Sequence, residues 1–225
     1  GIGRATAKTY ADHGASVVVA DVDEDGGERT VEEIVDAGGE ATFVRTDVSS
    51  AEDVKAMIET AVSVYGGLDV LFNNAGIEGD VATAHEYPEN EFDMIVAVNL
   101  KGVFLGLKYG IQAMLADGGG SIINTSSTWG LQGGEAVPAY CASKGGVELL
   151  TKQLAVDYSD RGIRANTLVP GWTETGMTRP LLADDEQRAE MERSSLLNRI
   201  ALPEEIAEGA VFLASDRSRY MTGHS

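Results

Sequence analysis

The chain has 225 residues, enough for one α/β domain whose core needs no covalent staples. Its 36 acidic residues against 17 basic ones give a net charge of −19, a surface that repels phosphate backbones and argues against a nucleic-acid partner. The lone Cys141 excludes an intramolecular disulfide, the scattered His13, His85 and His224 give a metal site no support, and no 18-residue apolar run or export signal is read, so a cytoplasmic protein with no membrane partner is expected.

In chain order, Gly1-Ile2-Gly3 runs into a helix predicted near residues 3–13. Ala15 to Ala20 reads as a strand ending at Asp21, and a helix over 24–37 follows. Ala41 to Arg45 is the next strand, with Asp47 and Val48 after it, then a helix over 51–65. Leu68 to Phe72 is a strand that opens into Asn73-Asn74-Ala75-Gly76. A long helix over 89–116 contains Asn99 and leads to a strand from Ser121 to Thr125, with Ser126 and Ser127 directly beyond it. The helix over 138–161 carries Tyr140 and Lys144, and the strand from Arg164 to Val169 closes on Pro170-Gly171. Pro203 is placed to start a last helix over 203–214.

Valine- and isoleucine-rich runs alternating with longer helical patterns are the signature of βαβ units, predicting one doubly wound, Rossmann-like α/β domain over 1–225 with a parallel sheet and helices on both faces. The polar stretch from Trp172 to Arg199, carrying Met177, Leu181, Leu182 and Met191, breaks that alternation. Gly1-Ile2-Gly3 opens a helix with no strand before it. A doubly wound sheet sets its first strand centrally, so a gap is expected in mid-sheet and roughly a dozen residues are inferred to precede the sequence given.

The densest chemistry lies in Tyr140-Cys141-Ala142-Ser143-Lys144, where a four-residue spacing puts a phenol and an ammonium on one helix face. A free tyrosine titrates near roughly 10, too high for a proton shuttle at neutral pH. A cation about 4 Å away at an effective dielectric of about 20 favours phenolate by up to ~4 kcal/mol, so the phenol pKa is expected to fall by up to about three units. Such a pair taken alone is more often a snorkelling surface contact. Here it follows Ser126-Ser127, Asn73-Asn74-Ala75-Gly76 and Asn99, and precedes Pro170-Gly171.

In that order and at those spacings, these motifs resemble the short-chain dehydrogenase/reductase (SDR) family over essentially the whole chain. The resemblance implies an oxidoreductase moving a hydride between a nicotinamide cofactor and a secondary alcohol or ketone. Tyr140 would be the general acid/base and Ser127 the substrate-orienting hydroxyl, with Ser126 structural. Lys144 would lower the tyrosine pKa and hold the nicotinamide ribose, and Asn99 would hold a water linking Lys144 to solvent or satisfy a helix distortion. The stretch 172–199 would be a substrate loop of one or two short helices, and Tyr220-Met221-Thr222-Gly223 would lead into a last edge strand expected to lie beyond the sequence given.

Gly1, Ile2 and Gly3 resemble the end of the family's glycine loop, where bare backbone at a helix N-terminus meets the pyrophosphate. Asp21, about twenty residues on, can accept both adenosine ribose hydroxyls and repel a 2′-phosphate, which favours NAD over NADP, or it can start a turn. Asp47 and Val48 resemble the adenine-contact pair, with Asp47 alternatively capping the helix at Ala51. Asn73, Ala75 and Gly76 resemble the segment beside the adenine ribose, or brace the sheet. Pro170, Gly171, Thr173 and Thr175 resemble the loop contacting the nicotinamide carboxamide.

Trp129, Trp172, Gln132 and Glu135 fall on the expected substrate side, as an apolar wall with one polar corner. Polyol or cyclic-alcohol oxidation is the first reading. An NADPH-dependent 3-oxoacyl-thioester reductase is the alternative within the family, and a non-catalytic dinucleotide-binding regulator the alternative outside it. Phe92, Ile95, Val96, Phe104, Leu105, Leu107 and Ile111 surround much of the long helix, more apolar surface than one sheet face covers, and with the resemblance this implies a homotetramer, or else a homodimer. The acidic surface reads either as adaptation to high salt or as that of an ordinary acidic enzyme.

Overall fold

A computed structural model describes residues 1–225. In chain order it contains α1 (Ile2–Asp12), β1 (Ser16–Asp21), α2 (Glu24–Asp36), β2 (Glu40–Arg45), α3 (Ala51–Tyr65), β3 (Val70–Asn73), α4 (Glu89–Val96), α5 (Gly102–Asp117), β4 (Gly120–Thr125), α6 (Thr128–Leu131), α7 (Pro138–Tyr158), β5 (Ile163–Leu168), α8 (Arg179–Leu182), α9 (Asp185–Ser194) and α10 (Pro203–Ala214). Local chemistry explains the boundaries. Asp23 caps α2 through the Gly26 N–H, Ser50 caps α3 through the Asp53 N–H, and α10 begins on Pro203, where a missing N–H costs nothing. Gly66 and Gly118, at φ +90° and +92°, end α3 and α5 in the left-handed conformation that a side chain would oppose.

All strand pairs are parallel, β1 with β2 and β4 between β3 and β5. No ladder joins the two-stranded piece to the three-stranded one, so the gap expected in mid-sheet is present. Alternation along the strands sends side chains to two helical layers. Leu71 and Ile122 join Ile58, Leu107, Ile111, Met114, Val147 and Leu154 in the main core with α3, α5 and α7. Their neighbours face the other way, Phe72 edge-on to Tyr10 of α1 at 6.4 Å and the Ser121 hydroxyl donating to the Leu213 carbonyl of α10 at 2.8 Å. From Tyr220 on, the chain is irregular and lies along β5, with Gly223 N–H donating to Ala165 O and Thr167 N–H to His224 O.

The predicted helix over 89–116 is continuous but not uniform, since α4 and α5 are joined by one π-helical turn, Ala97–Lys101. Taken together, Glu89–Asp117 is long and apolar enough by length and composition to cross a membrane, a stretch the sequence reading did not flag. Its apolar residues serve the fold instead, with Ile95, Leu105, Leu107, Ile111 and Met114 buried while Phe92 and Phe104 stay exposed. The stretch after Trp172 forms the two short helices α8 and α9, with Leu182, Met191 and Ile200 in a small separate core against Trp172.

Candidate active site

Lys144 is the centre of the site and only 3 % exposed. It sits on the face of α7 that also buries Ala139, Ser143, Val147 and Thr151, so the helix carries its ammonium inward. There Nζ donates to the Thr125 carbonyl at the end of β4, at 2.9 Å. Burial holds the ammonium down to about 8.

Tyr140 lies one turn earlier, with Lys144 Nζ 5.8 Å from its ring centroid. The expected fall in the phenol pKa is not what the fold produces. Burial pushes the Tyr140 phenol up, Ser127 pulls it back, and the charges of Glu78 and Cys141 push it further up. The physical reason is that the same burial that dehydrates the phenol weakens the Lys144 cation, whose nearest partner is a backbone carbonyl.

Ser127 caps α6, accepting the Trp129 N–H at 3.2 Å, which spends a lone pair and leaves the hydroxyl hydrogen to donate toward the Tyr140 phenol, the interaction that pulls the phenol pKa back. Ser126 is buried and donates to the Lys144 carbonyl at 3.1 Å, the structural part expected of it. α6 can approach α7 this closely because residue 130 is glycine, since a Cβ there would stand 2.8 Å from the Lys144 carbonyl carbon.

Asn99 is fully buried in the π turn. Its Oδ1 accepts the Ile77 N–H at 2.8 Å, and its Nδ2 donates to Ile77 O at 2.8 Å and to Ser143 Oγ at 3.2 Å. Both amide hydrogens are thereby spent inside the protein, so any water here has one Oδ1 lone pair to use. Gly76 brings Asn99 and Lys144 together, because a Cβ at this position would be 3.3 Å from both Asn99 Oδ1 and Lys144 Nζ.

The other predicted residues fall into two groups. At the α1 N-terminus, Gly1 and Gly3 leave the first N–H groups without a side-chain cap. A Cβ on Gly3 would stand 2.9 Å from Asn74 Nδ2, and one on Gly1 would stand 3.4 Å from Thr175 Cβ, so Thr175 adjoins this end of the helix. Asp21, exposed at the C-terminal end of β1, accepts the Asp23 N–H through Oδ1 at 3.0 Å and keeps Oδ2 free. Thr173 is buried and donates to Gly171 O at 3.0 Å, holding the turn after Pro170.

The second group makes local contacts within the scaffold. Asn73 donates to Asn124 Oδ1 at 2.8 Å, and Asn124 passes the chain on to Thr151 at 2.9 Å, so the Asn73 side chain braces β3, β4 and α7. Asp47 accepts from the Ser49 N–H and hydroxyl at 2.9 and 2.7 Å, and the α3 cap suggested for it belongs to Ser50. Val48 packs where a Cβ on Gly102 would fall, 2.9 Å from its Cγ2. Ala75 continues the strand end between Asn74 and Gly76, and Ile2 is the first residue of α1.

The tryptophans form the expected apolar wall. Trp129 stacks edge-on to Tyr140 at 6.1 Å and to Trp172 at 5.4 Å, and Trp172 donates to Ser194 Oγ of α9 at 3.0 Å. Gln132 and Glu135 do not supply the polar corner, since both are exposed. Sequence reading missed Glu78, a half-buried carboxylate whose charge reaches Tyr140. Its position two residues after Gly76 was the available signal.

A family model described as enoyl-(acyl carrier protein) reductase matches residues 1–225. The chain is 42 % identical over 223 residues to a cyclohexanol dehydrogenase of Acinetobacter sp. (strain SE19), covering 99 % of this chain and 87 % of that protein. Among solved structures, NAD+-bound xylitol dehydrogenase superposes with a TM-score of 0.94 at 31 % identity, covering 99 % of this chain and 91 % of the other. A gluconate 5-dehydrogenase from Burkholderia cenocepacia J2315, in complex with NADP and tartrate, superposes with a TM-score of 0.93 at 32 % identity, covering 100 % and 88 %.

Proposed function

Because this chain belongs to the short-chain dehydrogenase/reductase family and is an oxidoreductase, we propose that it oxidises secondary alcohols, cyclic alcohols or polyols, with NAD as hydride acceptor and Tyr140 as general acid/base. The observation that carries this reading is the convergence of the Ser127 hydroxyl, a half-buried Tyr140 phenol and a buried Lys144 ammonium beneath an aromatic wall.

A dinucleotide fits the residues present, since Gly3 stands against Asn74 where a side chain would collide and the α1 N-terminus offers uncapped N–H groups. Gly1, Ile2 and Gly3 would hold the pyrophosphate, Asp21 the ribose diol, Asp47 and Val48 the adenine. The backbone of Asn73, Ala75 and Gly76 would pass the adenine ribose, and Pro170, Gly171, Thr173 and Thr175 would meet the carboxamide. When bound, the nicotinamide supplies the hydride acceptor or donor.

The chain's own groups handle the proton. Ser127 donates to the substrate oxygen and holds it near the phenol, and Tyr140 gives that oxygen a proton in reduction or takes one in oxidation. The raised phenol pKa keeps Tyr140 protonated at neutral pH, ready to give the proton in reduction, so the oxidation proposed gains as pH rises and the phenolate becomes available to take one. Lys144, anchored on Thr125 O, supplies positive charge below the phenol, and Asn99 fixes the loop that borders both. A cytoplasmic homotetramer completes the reading, supported by exposed Phe92 and Phe104 on α4 and α5 and exposed Leu149 and Val156 on α7. The test is a spectrophotometric screen of cyclohexanol, xylitol and their ketones with NAD(H) and NADP(H), where nicotinamide-dependent turnover supports the reading and its absence across the panel refutes it.

A further inference from the structure

The loop after β3 is fastened at three points around one unused carboxylate. Gly76 lies against Lys144 and Asn99, and Ile77 is clamped by Asn99 through both its backbone groups. Gly79 adopts φ +79°, in the left-handed region, where a Cβ would stand 2.7 Å from the Tyr87 hydroxyl and 2.8 Å from Ile95 Cδ1. Three residues on, the Ala82 N–H donates at 2.8 Å to the carbonyl of Ala136, on the segment that leads into α7.

Glu78 stands between these fastenings, half-buried, with neither a hydrogen bond nor an ion pair to another side chain. Burial alone pushes its carboxyl up, and its charge acts on the Tyr140 phenol. A half-buried carboxylate without a partner has lost part of its hydration, and a hydroxyl donor restores it. The aromatic wall beside Tyr140 is Trp129 and Trp172, and the side chains expected to make its polar corner, Gln132 and Glu135, are exposed. The reactive oxygen of a substrate is already served by Ser127 and Tyr140, so a carboxylate here addresses some other part of the molecule.

We propose that Glu78 is a specificity-determining residue that accepts a hydrogen bond from a second hydroxyl of the substrate, so that the site selects diols and polyols over the corresponding mono-alcohols. This rests on the alcohol dehydrogenase reading above. The test compares cyclohexanol with cyclohexane-1,2- and 1,4-diol for the wild type, Glu78→Leu and Glu78→Gln. In Glu78→Leu, kcat/KM for the preferred diol falls at least about tenfold relative to that for cyclohexanol, mainly through KM, and any change common to both substrates reports the charge removed from beside Tyr140. Glu78→Gln keeps a neutral carbonyl acceptor, falls between the two, and serves alone if the leucine variant does not fold. Equal losses on mono-alcohol and diol, or no loss on either diol, overturn the proposal.

A second readout separates this from the reading it rests on, because the only two tryptophans of the chain both line the site. Diol titrations of tryptophan fluorescence need no turnover. If no alcohol is turned over but diol quenching is present in the wild type and lost in the Glu78 variants, the dehydrogenase reading fails and the subsite stands. If neither turnover nor a Glu78-dependent quench is seen, both fail.

Discussion

Asn99 holds Ile77 from both sides of one residue, its Oδ1 accepting the Ile77 N–H and its Nδ2 donating to the Ile77 carbonyl, each at 2.8 Å. The clamp spans 22 residues of sequence and ties the loop after β3 to the π turn between α4 and α5. π turns are rare and tend to mark functional sites, and here the extra residue aims the Asn99 side chain into the loop bordering Lys144.

Asn99→Leu keeps similar volume and removes the clamp. Two backbone groups then lose their partners at about 1–3 kcal/mol each, so urea unfolding should show a loss of roughly 2–6 kcal/mol. A loss below about 1 kcal/mol would mean that the Ile77 groups find other partners.

Lys144 makes stability depend on pH with a defined sign. Its pKa falls from the ordinary 10.5 to about 8 on folding, so between those values the unfolded chain binds more protons and stability rises with pH. That difference corresponds to on the order of 3 kcal/mol. Lys144→Met lacks this gain, so chemical denaturation from pH 8 to 10.5 should show the wild type improving relative to the variant. Parallel profiles would mean that Lys144 is hydrated in the folded protein.

The sequence carried the alternation of strands and helices, because β-branched runs and caps such as Ser50 and Pro203 act locally. Tyr140, Lys144 and Ser127 were legible because their spacing on one helix and one strand end is itself the signal. The π turn was not, since five residues of π-helix leave the apolar pattern of α4 and α5 intact. The direction of the Tyr140 shift was also hidden, because spacing gives the cation but not the dehydration of both groups. Asn73 and Asp47 show the same limit, since a motif position does not say which way a side chain turns, and both turn to local partners.

Asp21 decides the cofactor if its free carboxylate oxygen meets the ribose diol. Hydrogen bonds to a charged acceptor are worth roughly 1.5–3 kcal/mol each, so Asp21→Ala should raise the KM for NAD at least about tenfold, and adding Val22→Arg should admit NADP. A wild type that already prefers NADP places Asp21 elsewhere and brings the 3-oxoacyl-thioester reductase alternative forward.

The net charge of −19 sets a salt dependence, because the ion pairs, among them Lys8–Glu33 at 2.8 Å and Lys55–Glu59 at 3.3 Å, lie at the surface and leave most carboxylates uncompensated. If the surface is adapted to high salt, the Tm should rise steadily from dilute buffer to molar KCl as self-repulsion is screened. A flat or falling profile leaves an ordinary acidic enzyme.

Tyr140→Phe tests the central claim most directly, because it deletes one oxygen atom and leaves the aromatic wall against Trp129 in place. Stopped-flow and steady-state assays with cyclohexanol should show kcat reduced by at least about a hundredfold, the scale of a lost general acid/base, with NADH binding unchanged by fluorescence titration. Turnover within a few fold of the wild type, in a variant that still binds NADH, would contradict the account, since the proton would then travel by a route that does not include Tyr140.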